Sequence, residues 1–543
     1  MTALAARAAL PVDPFAPIVP LFLSVPDSDL QEFLMEAHAL LASCPSIVAA
    51  VEEDLDRHGL RKKALRVEDA RWFENKTAQL AGLPPSTPPA SRPAKPLPCL
   101  QQGRPRTPAY VVSIVLMLRG YFGVGFKSCE ADSMLQESIT LHLFFANLGL
   151  DLPGRSTLTE LANAVSNPTR RLVLDAQVAR ALQLDLDNFA MFIQDSTHVA
   201  GNTEWPTDSR LMVALVSRLL RIGRKLPRLG LPLLTSTEAE RCLAELVTLN
   251  RRIEFTAGKK DSKRLRKRSY QKLLKKAKRA HKLLTDLVAP LTAHVVALDV
   301  RPSRKLRAAH AVECLRTDLV LLTKAMEACA ARVLREDKVP VQDKVLSVSD
   351  PDAGFICKGQ RDPVIGYKPQ LALSEHGIIT GFMLPQGNAP DSAQLIPMIK
   401  AVTARTKVVP LIVSVDDGYA SALNKWKARQ FGVWIVSISG AKGHALTSEK
   451  VWNSPIYSGA RDLRSAAESL MFTVKQGYHF GEVARRGLGA ATGEMLEKVL
   501  AYNVCKMVCL RRAKAHEREV AARKAANATP PQRLQDDPQQ AAA

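Results

Sequence analysis

The chain has 543 residues, 46% hydrophobic and 24% charged, a composition that allows a large core and more than one domain. Lysine and arginine number 75 against 53 aspartate and glutamate, a net charge of +22, which attracts polyanions and points first to nucleic acid. Nine scattered cysteines without a CxxC pair argue against a metal site and for a reducing compartment, and no run of about 18 uncharged apolar residues suggests a membrane span. The N-terminus lacks a signal-peptide pattern, so the expectation is a soluble, cytoplasmic protein.

Residues 1–82 mix Leu and Ala with charges at helical spacing and predict a helical segment. Nine prolines between Pro84 and Pro108 predict an extended linker over 83–108. Residues 109–185 read as a helical domain, with Ser156 or Thr157 placed as an N-cap ahead of Glu160. "NFAMFIQDST" then reads as a buried strand ending in Asp195, within a segment 186–209. After Pro206, Thr207, Asp208 or Ser209 can cap the next helix.

Residues 210–345 predict a helical block. Inside it, Lys259 to Lys282 carry 13 Lys or Arg in 24 residues, above an apolar stripe of Leu273, Leu274, Ala277, Ala280, Leu284 and Leu287. Lys272, Lys275, Lys276 and Arg279 on this arm are candidates for contact with a phosphate backbone.

From 346 to 513 the pattern becomes α/β. "AGFICKG", "IGYKPQLALS" and "GIITGFMLP" read as strands with a hairpin turn at Gly377, and Asp391 with Gln394 is spaced as a capping box. "KVVPLIVSV" is a strand ending in "DDGY", followed by a helix and the strand "GVWIVSI". The composition after 514 predicts a disordered tail over 514–543.

Three acidic points stand out: Asp195, Asp416 or its neighbour Asp417, and Glu468 on a late helix. Strand ends and a helix beside them converge at one edge of a sheet, and three carboxylates suit hard cations that activate a water or a 3′-hydroxyl. Arg464, four residues before Glu468, and Lys475, seven after it, share its helical face and are expected to face DNA. Arg485 and Arg486 are further candidates for phosphate contact.

"QDSTHVAGNTEWPTDSRLM", "SDPDAGFICKGQRDPVIGYKPQLAL", "GNAPDSAQLIPMI", "SVDDGY" and "RSAAESLMFTVKQGYHFGEVARRGL" resemble, in order, blocks of bacterial insertion-sequence transposases of the DDE type, nearest to the ISNCY group. The resemblance covers about residues 109–513 and implies an α/β ribonuclease H-like core, a mixed sheet flanked by helices, with a helical N-terminal domain and a large helical insertion. It implies that Asp195, Asp416 and Glu468 are both catalytic residues and metal ligands, selecting Asp416 because the family Asp precedes a variable residue, Gly and an aromatic. Some relatives carry a Tyr where this chain has Arg461. Implied too are Mg²⁺, with Mn²⁺ able to substitute, and DNA ends and target DNA as partners of at least a dimer. A non-catalytic DNA-binding repressor and a metal-dependent nuclease of the same fold are the alternatives.

Overall fold

The computed structural model describes residues 28–80, 106–122, 137–205, 207–256, 262–357 and 362–528. Most of the Pro-rich stretch, Pro206, the first residues of the basic run, Lys358 with Gly359, and 529–543 lie outside the described residues.

Among the described residues the first elements are α1 (Ser28–Ser43), α2 (Pro45–Leu80), α3 (Ala109–Tyr121), α4 (Ile139–Asn147), α5 (Arg155–Ala164) and α6 (Asn167–Gln183). Ser166 starts α6 by accepting the Thr169 N–H at 3.3 Å. The expected cap of α5 is absent: Gly154 takes that position without a side-chain bond, and Glu160 pairs instead with Lys62 and His58 of α2. No single described helix is long and apolar enough to cross a membrane. α1 and α2 bend by 87° at their junction, and α1 buries Leu30, Phe33, Leu34 and Leu40 in the main core.

The central strand β1 (Met191–Ser196) and a short β2 (Val199–Ala200) follow. The chain then leaves the sheet for a bundle of α7 (Asp208–Gly223), α8 (Thr237–Glu254), α9 (Ser262–Val288), α10 (Leu291–Ala297) and α11 (Pro302–Cys329). Thr207 caps α7 by accepting the Arg210 N–H at 3.3 Å. The bundle has a core of its own, in which Leu215 and Leu219 of α7, Leu246 of α8, Leu273 and Ala277 of α9 and Leu315 of α11 meet. The apolar stripe of α9, its residues three and four apart, lies in this core.

The chain returns through β3 (Gly354–Ile356), β4 (Val364–Tyr367), β5 (Gln370–Ser374) and β6 (Ile379–Met383). "IGYKPQLALS" is therefore two strands rather than one. Pro369 offers no N–H to a ladder, so the chain breaks there, β4 joining a small β2-β4-β3 sheet and β5 the large one. Gly377, at φ +84°, turns the β5–β6 hairpin. α12 (Leu395–Thr406), β7 (Ile412–Val415), α13 (Ala422–Gln430), β8 (Ile435–Ile438), α14 (Ala441–Ala445), α15 (Glu449–Trp452), α16 (Pro455–Asp462), α17 (Arg464–Gly477) and α18 (Leu488–Ala528) complete the fold.

The large sheet runs β6-β5-β1-β7-β8, with β1 antiparallel to β5 and parallel to β7. Strand alternation divides its side chains between two layers. Phe192, Ala372, Val413 and Val436 pack on α12 and α13, whereas Ile193, Leu371 and Leu373 pack toward the helices α17 and α18. Asn503 of α18 accepts the Ile379 N–H and donates to the Ile379 carbonyl, each at 2.9 Å, tying that helix to the hairpin.

The disordered tail expected from 514 is helical as far as Ala528, because α18 continues without a break. Its residues there are largely Ala, Arg, Lys and Glu, strong helix formers, and Arg523 pairs with Glu519 one turn back at 2.6 Å.

Candidate active site

β1 and β7 run parallel with Ile193 beside Ser414, so their C-terminal ends open on the same edge of the sheet. Asp195 is the penultimate residue of β1 and is 5% exposed. Its Oδ1 accepts the Ser196 N–H at 2.7 Å, leaving Oδ2 toward Arg464 Nη2 at 3.9 Å. Asp416 follows β7 and caps a single 3₁₀ turn: its Oδ1 accepts the Gly418 N–H at 2.9 Å, and its Oδ2 lies 3.7 Å from Arg464 Nη1. Glu468, one turn along α17, brings Oε1 to 3.4 Å from Arg464 Nη2. One guanidinium thus sits within 4 Å of all three acids named from the sequence.

Arg464 is turned toward these acids. Its side chain is 18% exposed, and among the described residues the buried Nη1 has no hydrogen-bond partner, only the attraction of Asp416. The reason is electrostatic: Asp195 and Asp416 converge in a shielded corner, and a cation there offsets their repulsion. Glu468 is the exposed member, its side chain 69% accessible. Among the described residues, no three His, Cys, Asp or Glu side chains are close enough together to hold a metal ion. The acids are gathered around the arginine rather than around one another.

The neighbouring Asp417 has a different task. Its carboxylate accepts the N–H groups of Lys442 at 3.2 Å and Gly443 at 3.0 Å, at the start of α14. Gly440, at φ +96°, lets the chain pass over it, since a Cβ there would collide with the Asp417 carboxylate at 2.4 Å. Geometry therefore separates two adjacent aspartates, one turned to the acid cluster and one spent on a helix start.

A polar layer that the sequence reading missed lies beneath the acids. Asp391 is not a cap: Pro390 takes that position, and the Asp391 carboxylate binds Lys368 Nζ at 2.9 Å and Gln370 Nε2 at 2.7 Å. Lys368 therefore belongs to this layer. The buried Tyr419 hydroxyl donates to Gln370 Oε1. Burial first, then the charges of Asp391, Asp195 and Asp416, hold the Tyr419 phenol well above its ordinary pKa, so it remains a neutral donor. Gly418 makes the layer possible, because a Cβ would stand 2.9 Å from Asp416 Oδ1 and 3.1 Å from Asp391 Oδ2. The one sequence signal was the order "KPQ … PD … DDGY", which carries no spacing rule of its own.

The remaining candidates divide. Lys475 lies two turns beyond Glu468 on α17 and is partly buried. Arg461 stacks its guanidinium 4.0 Å over the Trp452 ring, so its charge is engaged between α15 and α16. Arg485 is no surface cation: its side chain is 13% exposed and pairs at 3.0 Å with Glu497, which also binds Arg170 at 2.7 Å. Burial pushes the Arg485 pKa down, with Glu497 opposing that shift. Arg486 is exposed and donates to the Asn202 carbonyl at 3.2 Å. On α9, Lys276 pairs with Glu245 at 2.5 Å and Arg279 with Glu238, both acids of α8. Lys272 and Lys275 are exposed and make no ion pair among the described residues. Half of the four arm cations thus hold a helical hairpin together.

No curated protein and no solved structure matches the chain. Residues 351–504 match the family model of a transposase DDE domain, a span that contains Asp416 and Glu468 and begins after Asp195. The match supports a DDE transposase.

Proposed function

We propose that this protein is a DDE transposase of the insertion-sequence type, related to the ISNCY group. It binds element ends, cuts DNA and joins the freed 3′-hydroxyl to target DNA. The observation that carries the reading is the convergence of Asp195, Asp416 and Glu468 on one guanidinium at the open edge of a mixed sheet. The sheet with its flanking helices supports a ribonuclease H-like core, and the bundle between β2 and β3 supports a large helical insertion in it.

The donor set suits Mg²⁺ or Mn²⁺, because the groups brought together are carboxylate oxygens and because a cationic side chain already occupies the point where they meet. Asp195, Asp416 and Glu468 are the residues that would hold the metal, on rearranging from their present places around Arg464. When bound, such ions lower the pKa of an attacking water or hydroxyl and stabilise the leaving oxygen of an in-line displacement. Arg464 balances the charge of the acids, and a guanidinium in that place can also take a phosphate oxygen. Asp391, Lys368, Gln370 and Tyr419 hold the Asp416 turn in place from below. Lys475, Arg486, Lys272 and Lys275 are proposed to bind the DNA backbone, and two ends held together call for at least a dimer.

The test is incubation of the protein with labelled element ends, Mg²⁺ and a target plasmid. Nicked ends joined to plasmid are expected. Binding without nicking would identify a repressor, and nicking without joining a nuclease.

A further inference from the structure

A groove of about 810 Å³ separates the C-terminal half of α2 from the corner where α10 meets α11. Its walls carry the rings of Trp72 and Phe73 and the cations Lys225, Arg228, Arg301 and Arg304. Arg307 extends the basic wall along α11. None of these residues belongs to the acid cluster.

The groove is held open by polar clamps between its two sides. Asp69 of α2 accepts the Ser303 N–H at 2.9 Å and its hydroxyl at 2.5 Å, while Trp72 Nε1 donates to Asp299 at 3.1 Å. Lys76 takes the other oxygen of Asp299. The two local acids join the walls, and the charge of Asp69 also acts on Arg301 and Arg307. Among the described residues the five Lys and Arg of the groove have no ion pair, and the Arg304 Nε is buried without a hydrogen-bond partner. Phe73 is 53% exposed beside them. Like charges gathered round a concavity repel one another, and an exposed ring among them leaves apolar surface in water. A polyanion carrying flat apolar units relieves both costs, and a single strand of DNA is such a polymer. A duplex keeps its bases stacked inside and can offer the groove only phosphates.

We propose that this groove binds an unpaired stretch of DNA, with phosphates on the arginines and a base against Phe73. The proposal rests on the reading of the protein as one that acts on DNA. Its test uses the full chain in EDTA, so that catalysis plays no part, and measures anisotropy of a labelled 20-mer of dT and of a 20-bp duplex. Phe73→Ala should weaken the single strand by about 5- to 150-fold, the range of one base–aromatic stack, and change duplex affinity by less than about twofold. Phe73→Tyr, which keeps the ring, should retain wild-type affinity. Arg228→Gln with Arg307→Gln should reduce the salt slope for dT by roughly 1.4, about 0.7 per phosphate contact. Unchanged dT binding in these variants, or equal losses on both DNAs, would overturn the groove while leaving the proposed activity standing. A wild-type protein that binds neither DNA would remove both readings, whereas one that joins ends but carries inert groove variants would remove only this one.

Discussion

Asp416→Asn and Asp417→Asn exchange one carboxylate for an amide at adjacent positions, yet the structure assigns them opposite consequences. Asp417 accepts two backbone N–H groups at the start of α14. A hydrogen bond to a charged group contributes about 1.5–3 kcal/mol, and an asparagine keeps one acceptor while turning an NH₂ toward the second N–H. Asp417→Asn should therefore lower stability by about 2–3 kcal/mol. In Asp416→Asn the amide oxygen still accepts the Gly418 N–H. The attraction to Arg464 at 3.7 Å is lost, on the order of 4 kcal/mol at an effective dielectric of 20, but repulsion from Asp195 and Asp391 disappears with it. The net change in stability should stay within about 1 kcal/mol. Under the proposed role, nicking of element ends should fall by roughly 10³-fold or more in Asp416→Asn, as when one electrostatic stabiliser of a transition state is removed. In Asp417→Asn it should fall only as far as the unfolded fraction does. Urea denaturation and an end-nicking assay on both variants provide the check. Normal nicking by Asp416→Asn, with nicking abolished at unchanged stability in Asp417→Asn, would refute the assignment.

Arg464→Gln should strengthen binding of Mn²⁺, read by calorimetry without DNA, because a competing cation leaves the acids; weaker binding would mean that the arginine organises them for the metal. Glu497→Gln should destabilise the fold by about 3–5 kcal/mol in urea, since Arg170 and Arg485 would remain buried without their counter-charge. Burial alone would raise the Glu497 pKa, but Arg485, Arg170 and Arg119 together lower it. The stability it contributes is thus full above the ordinary glutamate range and is lost as pH falls through its depressed folded value, a slope that Glu497→Gln should lack. Asp318 of α11 behaves oppositely: burial pushes its pKa up to about 6 against the pull of Arg218 and Arg221. Stability should therefore decline as pH rises from about 4 to 6, and Asp318→Asn should flatten that decline in denaturation curves taken across the interval.

Strand ends were legible because buried strands are short apolar runs: "MFIQDS" turns polar toward its end and "IVSV" is followed at once by Asp416. The helical face shared by Arg464 and Glu468 was legible too, since it follows from the 3.6-residue period. What lay opposite that face was not. Helical periodicity places a side chain on a surface but cannot say that two strand-end carboxylates arrive there from residues 195 and 416. Arg485 was misread because its partner Glu497, twelve residues on, is buried by packing against Arg170 more than 300 residues away, which no local spacing announces. Asp391 was misread because the capping-box spacing is met wherever Asp and Gln fall three apart, and its real partners, Lys368 and Gln370, belong to an earlier strand turn. The helical continuation past 514 was hidden by composition, because Ala and Arg serve a solvated helix as readily as an unstructured tail.

The detour of the chain between β2 and β3 sets a timetable for synthesis. β1 is the middle of the large sheet, yet β5, its antiparallel neighbour, begins at Gln370 and β7, its parallel one, at Ile412. At about 5–20 residues per second, a ribosome that has finished β1 needs roughly 10–40 s to make β7. Phe192 and Ile193, buried on both faces in the finished protein, lack most of their cover during that interval. The α7–α11 bundle, with its self-contained core, is made in the same interval and can close before the sheet exists. It then acts as a clasp, presenting β3 and β4 close to the waiting strand rather than at the end of a slack loop, and so shortens the search that the last strands must make.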